Sequence, residues 1–376
     1  MALGFDAKRV FLNRTGLGEY GRFVLRGLLE RYPDRRYHLY TPRQQAGCDP
    51  ELPTGQVAIG LPPGPARRGP GAAIWRSFAL GRRAARDGVQ LFHGLSQELP
   101  RDLPRGMPCV VTIADLLPLR HPEFFPAIDR RTYRWKSRWA ANRADLVIAL
   151  SQQTADDLVT WYGIDPTRIR VIGMGCHPRF SRGPDPDGVA RVRRHYQLPG
   201  QYALMVGRLE ARKNARLAVE ALALLAPADR PLLVLAGAHT ADTPRLLDLI
   251  RARQLEAQVR LLGPVPAEDL PPLYQGAGVF LYPSLFEGFG VPILEAFRSR
   301  VPVITSLGGP FQEVGGGAAE YLDPRDPAAL AVAMGRILSD RALAESMRDA
   351  GEAQAAQFDP IPLTDRLMAG YRELHP

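Results

Sequence analysis

The sequence predicts an α/β protein of two domains, each built on a parallel β-sheet. Three observations carry this. Residues 232–236, 259–262, 279–282 and 301–305 are short, near-continuous apolar runs, the pattern of strands buried on both faces, as in a parallel sheet. Amphipathic helical stretches alternate with them, the βα order that such a sheet requires. The chain has 376 residues, room for two domains of ordinary size.

Composition narrows the classes further. At 45% hydrophobic and 23% charged residues, the chain has the make-up of a globular protein. It has no run of 18 apolar residues, so no membrane span is predicted. The N-terminus, MALGFDAKR, lacks the apolar segment of a signal peptide. Cys48, Cys109 and Cys176 are odd in number, far apart and without a C-x-x-C pair, which argues against a disulfide framework and a zinc site. A reducing cytoplasm is the expected location. The net charge of +9 is of the kind that attracts nucleic acid, anionic lipid or phosphorylated substrates. No helix-turn-helix, zinc-finger or RNA-binding signature is present, so nucleic acid is not an expected partner. A solvated, arginine-rich surface accounts for most of the excess.

Taken in order, the first strand is residues 2–5. A polar loop follows, then GLGEYG at 16–21 and an amphipathic helix over about 19–32. GLGEYG matches G-x-G-x-x-G, the fingerprint of nicotinamide-binding domains. That fingerprint needs its glycines directly after the first strand and an acid at the end of the second. The second strand, 37–40, runs into Thr41-Pro42, with no carboxylate, and a long loop separates the first strand from Gly16. The dehydrogenase reading is therefore set aside. Residues 42–70, rich in Pro, Gly and Arg, read as a long surface connection with one short strand at 57–60. Residues 74–86 read as a helix with one basic face.

The strand within residues 89–100 ends at His93 and Gly94. Carboxyl ends of strands line the ligand crevice of open α/β sheets, so His93 is a candidate site residue, with structural hydrogen bonding as the alternative. The strand 109–113 leads into Ala114-Asp115-Leu116. Residues 119–143 interleave Phe124, Phe125, Tyr133, Trp135 and Trp139 with Arg130, Arg131, Arg134, Lys136 and Arg138. Such a helix either lies at a membrane surface or turns its aromatics to the core and its basic face outward; the second reading is favoured. Strands follow at 145–150, with Ser151 capping the next helix, and at 170–173. Residues 178–187 form a breaker-rich connection between domains. It holds a literal D-x-D, Asp185-Pro186-Asp187, which lies outside any strand end and is not read as a metal site.

The strand 202–206 runs into GRLEARKN, 207–214, and the strand 279–282 into SLFEGFGVPILE, 284–295. The second stretch places Glu287 and Glu295 on either side of a glycine turn. Gly288 and Gly290 let the backbone come close to a ligand. Pro292 marks a helix start, where a missing N–H costs nothing. A helix N-terminus offers free N–H groups and a partial positive charge, which suits phosphate, and Glu295 is expected in the first turn. The bland alternative is a βα turn whose acids simply favour a helix start. Gly263-Pro264-Val265 follows the strand 259–262. TSLGGPFQEV, 305–314, gives another glycine turn before a helix, and the last helix spans about 361–374.

In order and spacing, GRLEARKN and SLFEGFGVPILE together resemble the signature of the retaining glycosyltransferases of family 4. That family has the GT-B fold, two Rossmann-like domains facing a central cleft. The resemblance runs over essentially the whole chain and is strongest from 207 to 313. It implies an acceptor-binding N-terminal domain of residues 1–180, with 359–376 crossing back onto it, and a donor-binding C-terminal domain of residues 181–358. It assigns Arg208 and Lys213 to the donor diphosphate, Glu295 to the ribose hydroxyls and Glu287 to hydroxyls of the donor sugar. Gly207, Gly288, Phe289, Gly290 and Val291 then line the donor, and the loop of Val265 meets the base. Gly16 and Gly18 inherit the role of a glycine loop closing over the donor phosphates. His93-Gly94-Leu95 is similar to a segment found in a subset of the family.

The chain departs from the pattern at one consequential place. Many members have His-Asp-Leu where this chain has Ala114-Asp115-Leu116, and that histidine faces the transferred sugar. Asp115 remains to orient the loop, but Ala114 can neither hydrogen-bond a hydroxyl nor move a proton. A natural variant with altered donor contacts, an enzyme that uses His93 instead, and a deliberate substitution all remain open at this point.

The implied activity is transfer of a hexose of mannose or glucose type, with retention, from a GDP- or UDP-linked sugar to a glycan or lipid-linked acceptor. The implied setting is cell-surface polysaccharide synthesis, in the cytoplasm, with peripheral membrane contact through the basic aromatic surface and with no metal or other cofactor. The alternatives are a nucleotide-sugar-binding protein that has lost transfer, and a GT-B epimerase or phosphorylase.

Overall fold

The computed structural model describes residues 1–13, 15–44 and 56–375, with Pro65 by its backbone alone. Cys48 and much of the connection expected over 42–70 lie outside the described residues. The chain divides into two compact units, Met1–Gly175 with Phe358–Pro376, and Cys176–Gln357.

The first unit holds β1 (Ala2–Asp6), β2 (Arg36–Tyr40), β3 (Val57–Gly60), β4 (Leu91–Gly94), β5 (Cys109–Ile113), β6 (Leu146–Ala149) and β7 (Ile169–Val171). They form one sheet in the order β3-β2-β1-β4-β5-β6-β7, parallel throughout. The second unit holds β8 (Tyr202–Val206), β9 (Leu232–Ala236), β10 (Val259–Gly263), β11 (Val279–Tyr282), β12 (Val303–Ser306) and β13 (Ala319–Leu322). Its order is β10-β9-β8-β11-β12-β13, again all parallel. Every residue of β1, β4, β5, β6, β11 and β12 is buried. That burial is why these strands read as apolar runs rather than as alternating ones. In each sheet the winding reverses at one pair of strands, β1/β4 and β8/β11. Outside the carboxyl ends of such a pair the flanking loops part and leave a crevice for a ligand.

Several expected elements differ in detail. A short helix, Lys8–Leu12, fills part of the loop after β1. The stretch expected as one helix at 74–86 is two, Gly69–Phe78 and Leu80–Arg86, meeting at Ala79. Arg76 is not on a basic outer face. It is buried, with Nη2 2.5 Å from Asp6 Oδ2 and 2.9 Å from Glu98 Oε2. The helix Ala127–Arg143 buries only Ser137, Ala140 and Ala141. Tyr133 and Trp139 are partly buried and pack on the core, but Trp135 is 56% exposed.

The segment expected as a connection over 178–187 is mostly structured. Phe180, in the turn Pro178–Ser181, is buried, and the helix Pro186–Tyr196 starts inside it with Asp185 as N-cap, its Oδ1 accepting from Gly188 N at 2.8 Å. The D-x-D carboxylate of Asp185 is therefore a helix cap. The last helix, Pro360–Leu374, packs on the helix Gly16–Arg31 of the first unit, where the Tyr32 hydroxyl donates to Asp365 Oδ1 at 2.6 Å. Among the described residues, no helix is long and apolar enough to cross a membrane.

Candidate active site

The site is built where the sheet of the second unit reverses, on the loops that leave β8 and β11. The strand ends there are knitted through backbone. Gly207 N donates to Ala236 O at 2.9 Å and Gly237 N to Gly263 O at 2.8 Å. Gly207 (φ +143) and Gly237 (φ +157) lie so close that a Cβ on Gly237 would stand 1.8 Å from the Gly207 carbonyl oxygen. Neither backbone conformation suits a side chain. Gly237 was not read from the sequence as a site position. The available signal was a glycine directly after an apolar strand.

Beyond Gly207 the chain forms the short turn Ala211–Lys213 and enters a helix through Asn214, in a left-handed conformation (φ 59). Asn214 Nδ2 donates to the carbonyls of Pro283 (3.1 Å) and Pro324 (2.7 Å), so the turn is fixed to the loop after β11. Lys213 Nζ lies 2.6 Å from Glu287 Oε1 and donates to the Tyr282 hydroxyl at 2.9 Å. Arg212 Nη1 stands 2.9 Å from the same Glu287 oxygen, while its Nε stands 2.9 Å from Glu210 Oε2. GRLEARKN and the glutamate of SLFEGFG thus meet at one carboxylate.

The electrostatics follow from that meeting. Burial by itself raises the pKa of Glu287, but the charges of Lys213 and Arg212 outweigh it and hold the carboxyl below its usual range. Burial lowers the pKa of Lys213, and Glu287 offsets this only in part. Arg212 is held firmly charged by Glu287 and Glu210 in spite of burial. Arg208, assigned to the diphosphate by resemblance, is not gathered into this cluster. It is 57% exposed and pairs with Glu210 at 3.2 Å. Arg212 is the arginine that meets Glu287, and the sequence reading did not name it.

After β11, Glu287 and Gly288 are half-buried and Phe289 is packed inward. Gly290 (φ +116) turns the chain into the helix Val291–Arg298, in which Val291 is first and Pro292 second. Glu295 falls in the second turn rather than the first, because the helix begins before Pro292. Its Oε2 accepts from the Tyr274 hydroxyl at 3.0 Å. Val265 is half-buried just beyond β10, whose last residue, Gly263, has φ +68.

The remaining sequence candidates lie in the first unit. His93 is fully buried. Its Nδ1 is 2.6 Å from the Tyr371 hydroxyl and its Nε2 2.9 Å from Thr112 Oγ1, and Thr112 in turn meets the Tyr20 hydroxyl at 2.9 Å. Burial pushes the imidazole down to about 3. Of the two readings of His93, these contacts favour structural hydrogen bonding: the ring is a neutral, buried group with both nitrogens occupied. Asp115 Oδ1 accepts from Leu117 N at 2.9 Å and its carbonyl accepts from the Tyr133 hydroxyl at 2.5 Å, so its contacts order the loop after β5. Gly16 and Gly18 are not in a loop. They open the helix Gly16–Arg31, whose N-cap is Thr15.

Two Rossmann-like units, each on a parallel sheet and the second with a cationic cluster at its switch point, are the architecture of a glycosyltransferase of the GT-B fold. Residues 194–354 match the model of the glycosyl transferases group 1 and residues 23–180 that of glycosyltransferase family 4. The chain belongs to glycosyltransferase family 4, and it is a hexosyltransferase. It is 34% identical over 288 residues to the O-antigen chain mannosyltransferase B of Escherichia coli, covering 76% of this chain and 74% of that one. It is 30% identical over 321 residues to the D-inositol 3-phosphate glycosyltransferase of Acidothermus cellulolyticus, covering 80% and 70%. Among solved structures, the fold is similar to sucrose-phosphate synthase from Thermosynechococcus elongatus, with a TM-score of 0.79 at 21% identity over 100% of this chain and 99% of that one. It is also similar to Anabaena HepE in complex with UDP and glucose, with a TM-score of 0.77 at 20% identity over 99% of each.

Proposed function

We propose that the protein transfers a hexose of mannose or glucose type, with retention, from a GDP- or UDP-linked sugar to a glycan or lipid-linked acceptor in cell-surface polysaccharide synthesis. The observation that carries this is the convergence of Lys213, Arg212 and Glu287 at the switch point of the second sheet, beside the helix start at Val291. Departure of a diphosphate from an anomeric carbon builds negative charge on the leaving oxygen, and preorganised cations are the effective means of stabilising it. Lys213, with Arg208, grips the diphosphate in this reading. Glu295 takes the ribose hydroxyls and Glu287 the hydroxyls of the sugar. Gly207, Gly288, Gly290 and Val291 let backbone approach the donor, and the loop of Val265 meets the base.

Attack comes from the face that the diphosphate leaves, with the leaving phosphate taking the acceptor proton, so no protein base is required. The cations act where a metal would otherwise be needed, and no other cofactor enters the scheme. Support for the sugar class comes from the relatives, one an O-antigen mannosyltransferase and one solved with UDP and glucose.

The proposed location is the cytoplasmic face of the membrane. Arg101 stacks on Trp135 at 3.9 Å and Trp139 at 5.0 Å. Ile74, Phe78 and Ile128 are exposed on the same unit, and Arg131, Arg134 and Arg138 are exposed on the helix that carries Trp135. Aromatic and basic groups together suit an anionic bilayer surface. Vesicles of phosphatidylglycerol should bind the protein and those of phosphatidylcholine should not, and a triple Glu variant at the three arginines should lose the binding.

The donor assignment is tested by thermal unfolding with millimolar UDP, GDP, ADP and NAD in parallel. A ligand at a hundredfold excess over its Kd stabilises the folded state by about 2.7 kcal/mol. A shift with UDP or GDP supports the donor site and names the base; a shift with NAD alone overturns it. A second reading, a donor-binding protein with impaired transfer, rests on Ala114. It predicts the same nucleotide shift with no product from any acceptor. An epimerase would instead convert the donor with no acceptor present.

A further inference from the structure

Each glutamate of the site is tied to a buried tyrosine, Glu295 directly and Glu287 through Lys213. The Tyr274 hydroxyl donates to Glu295 Oε2 at 3.0 Å. The Tyr282 hydroxyl accepts from Lys213 Nζ at 2.9 Å, and the same Nζ stands 2.6 Å from Glu287 Oε1. Both tyrosines are buried. Phe280 lies between them, its ring centroid 5.0 Å from that of Tyr274 and 5.9 Å from that of Tyr282. Phe180 closes one end of the row, edge-on to Tyr274 at 5.6 Å, and Phe311 the other, edge-on to Tyr282 at 6.0 Å. Close-packed rings of this kind move little independently of one another. Phenylalanine would fill the same space with no polar atom to satisfy. The distinct effect of the hydroxyls therefore lies in what they hold.

We propose that Tyr274 and Tyr282 are positioning residues that fix the Glu295 carboxylate and the Lys213–Glu287 pair at a set separation, matched to the ribose and the diphosphate of a nucleotide sugar. A glutamate side chain turns about three bonds, and a donor hydroxyl beneath it removes that freedom before the ligand arrives. The row of rings transmits one spacing to both. This rests on the donor-site reading above.

The test is a pair of double-variant cycles read by calorimetric binding of UDP and GDP. Tyr274→Phe weakens the preferred nucleotide roughly tenfold, the loss of one hydrogen bond to a charged group. In a Glu295→Ala background the same substitution changes affinity less than twofold, because its partner is gone. Tyr282→Phe behaves likewise with Lys213→Ala, and in the wild-type background it lowers kcat/KM with the nucleotide sugar by a similar factor. A merely structural role gives losses that add in the double variants, and that outcome overturns the proposal. So does wild-type affinity in both Tyr→Phe proteins. Wild-type protein that binds neither UDP nor GDP removes the donor-site reading itself, and the inference with it.

Discussion

Lys213 Nζ and Glu287 Oε1 stand 2.6 Å apart, so the cation assigned to the donor phosphate is engaged by the carboxylate assigned to the donor sugar. In the proposed donor site, a diphosphate bound at Lys213 would exchange part of that contact for a phosphate oxygen. Arg212 Nη1, 2.9 Å from the same oxygen of Glu287, gives that carboxylate a second cation.

Lys213→Ala should therefore lose transfer by about a hundredfold to a thousandfold, the range seen when one preorganised charge donor is removed. The fold should persist, because Arg212 still neutralises Glu287. Steady-state kinetics alongside a urea unfolding curve measure both. Near-normal turnover in a folded variant would sink the assignment of Lys213.

Arg212→Leu should act in the opposite proportion. It leaves Glu210 with Arg208 and Glu287 with Lys213, each buried or half-buried with one partner fewer. Removing one member of a buried ion network costs on the order of 3 kcal/mol, so the urea midpoint should fall clearly. Arg212→Lys keeps the charge but cannot span Glu210 and Glu287 together, and it should recover only part of the loss. A midpoint unchanged in both variants means that the cluster contributes nothing to stability.

His93 gives a pH signature that needs no substrate. Its native pKa of about 3 lies below the unfolded value of about 6.5. Between the two, the unfolded chain binds a proton that the native chain does not, so stability falls as pH drops from about 6.5 toward 3, by up to about 1.4 kcal/mol per pH unit. Above pH 6.5 the term is absent. His93→Gln should lower stability at pH 7.5 yet flatten the acid slope by one proton, with UDP or GDP affinity unchanged. A loss of nucleotide affinity in that variant, at equal stability, would return His93 to the site.

How much of this was readable in advance depended on the distance over which the residues act. β9 and β11 were legible because both of their faces are buried, which leaves an apolar run in the sequence. The short helix Lys8–Leu12 was not, since five residues hold too little periodicity to show. Lys213 and Glu287 were found through their motifs. The part of Arg212 was hidden, because it depends on a contact with Glu287 across 75 positions of chain. His93 stayed ambiguous for a similar reason. A histidine at the carboxyl end of a strand looks the same in sequence whether its ring enters the crevice or the core, and the deciding partner, Tyr371, is 278 positions away.

The contact between Gly207 and Gly237 supplies a last prediction, on the frame rather than the chemistry. Gly237→Ala would place a methyl 1.8 Å from the Gly207 carbonyl oxygen at a φ of +157, so the ends of β8 and β9 must part. Backbone strain of ~1–3 kcal/mol and overpacking of a similar size should act together. Gly183→Ala is the control: its φ is +81 and no atom lies within 4 Å of the added Cβ, so it should cost only the backbone strain of ~1–3 kcal/mol. If the clash is real, Gly237→Ala should be the less stable by about 1–3 kcal/mol in urea unfolding and should bind UDP or GDP more weakly even where it stays folded, because Gly207 leads directly into the turn that carries Lys213. Equal midpoints for the two variants would mean that the strand ends yield freely, and that the crevice does not depend on their close approach.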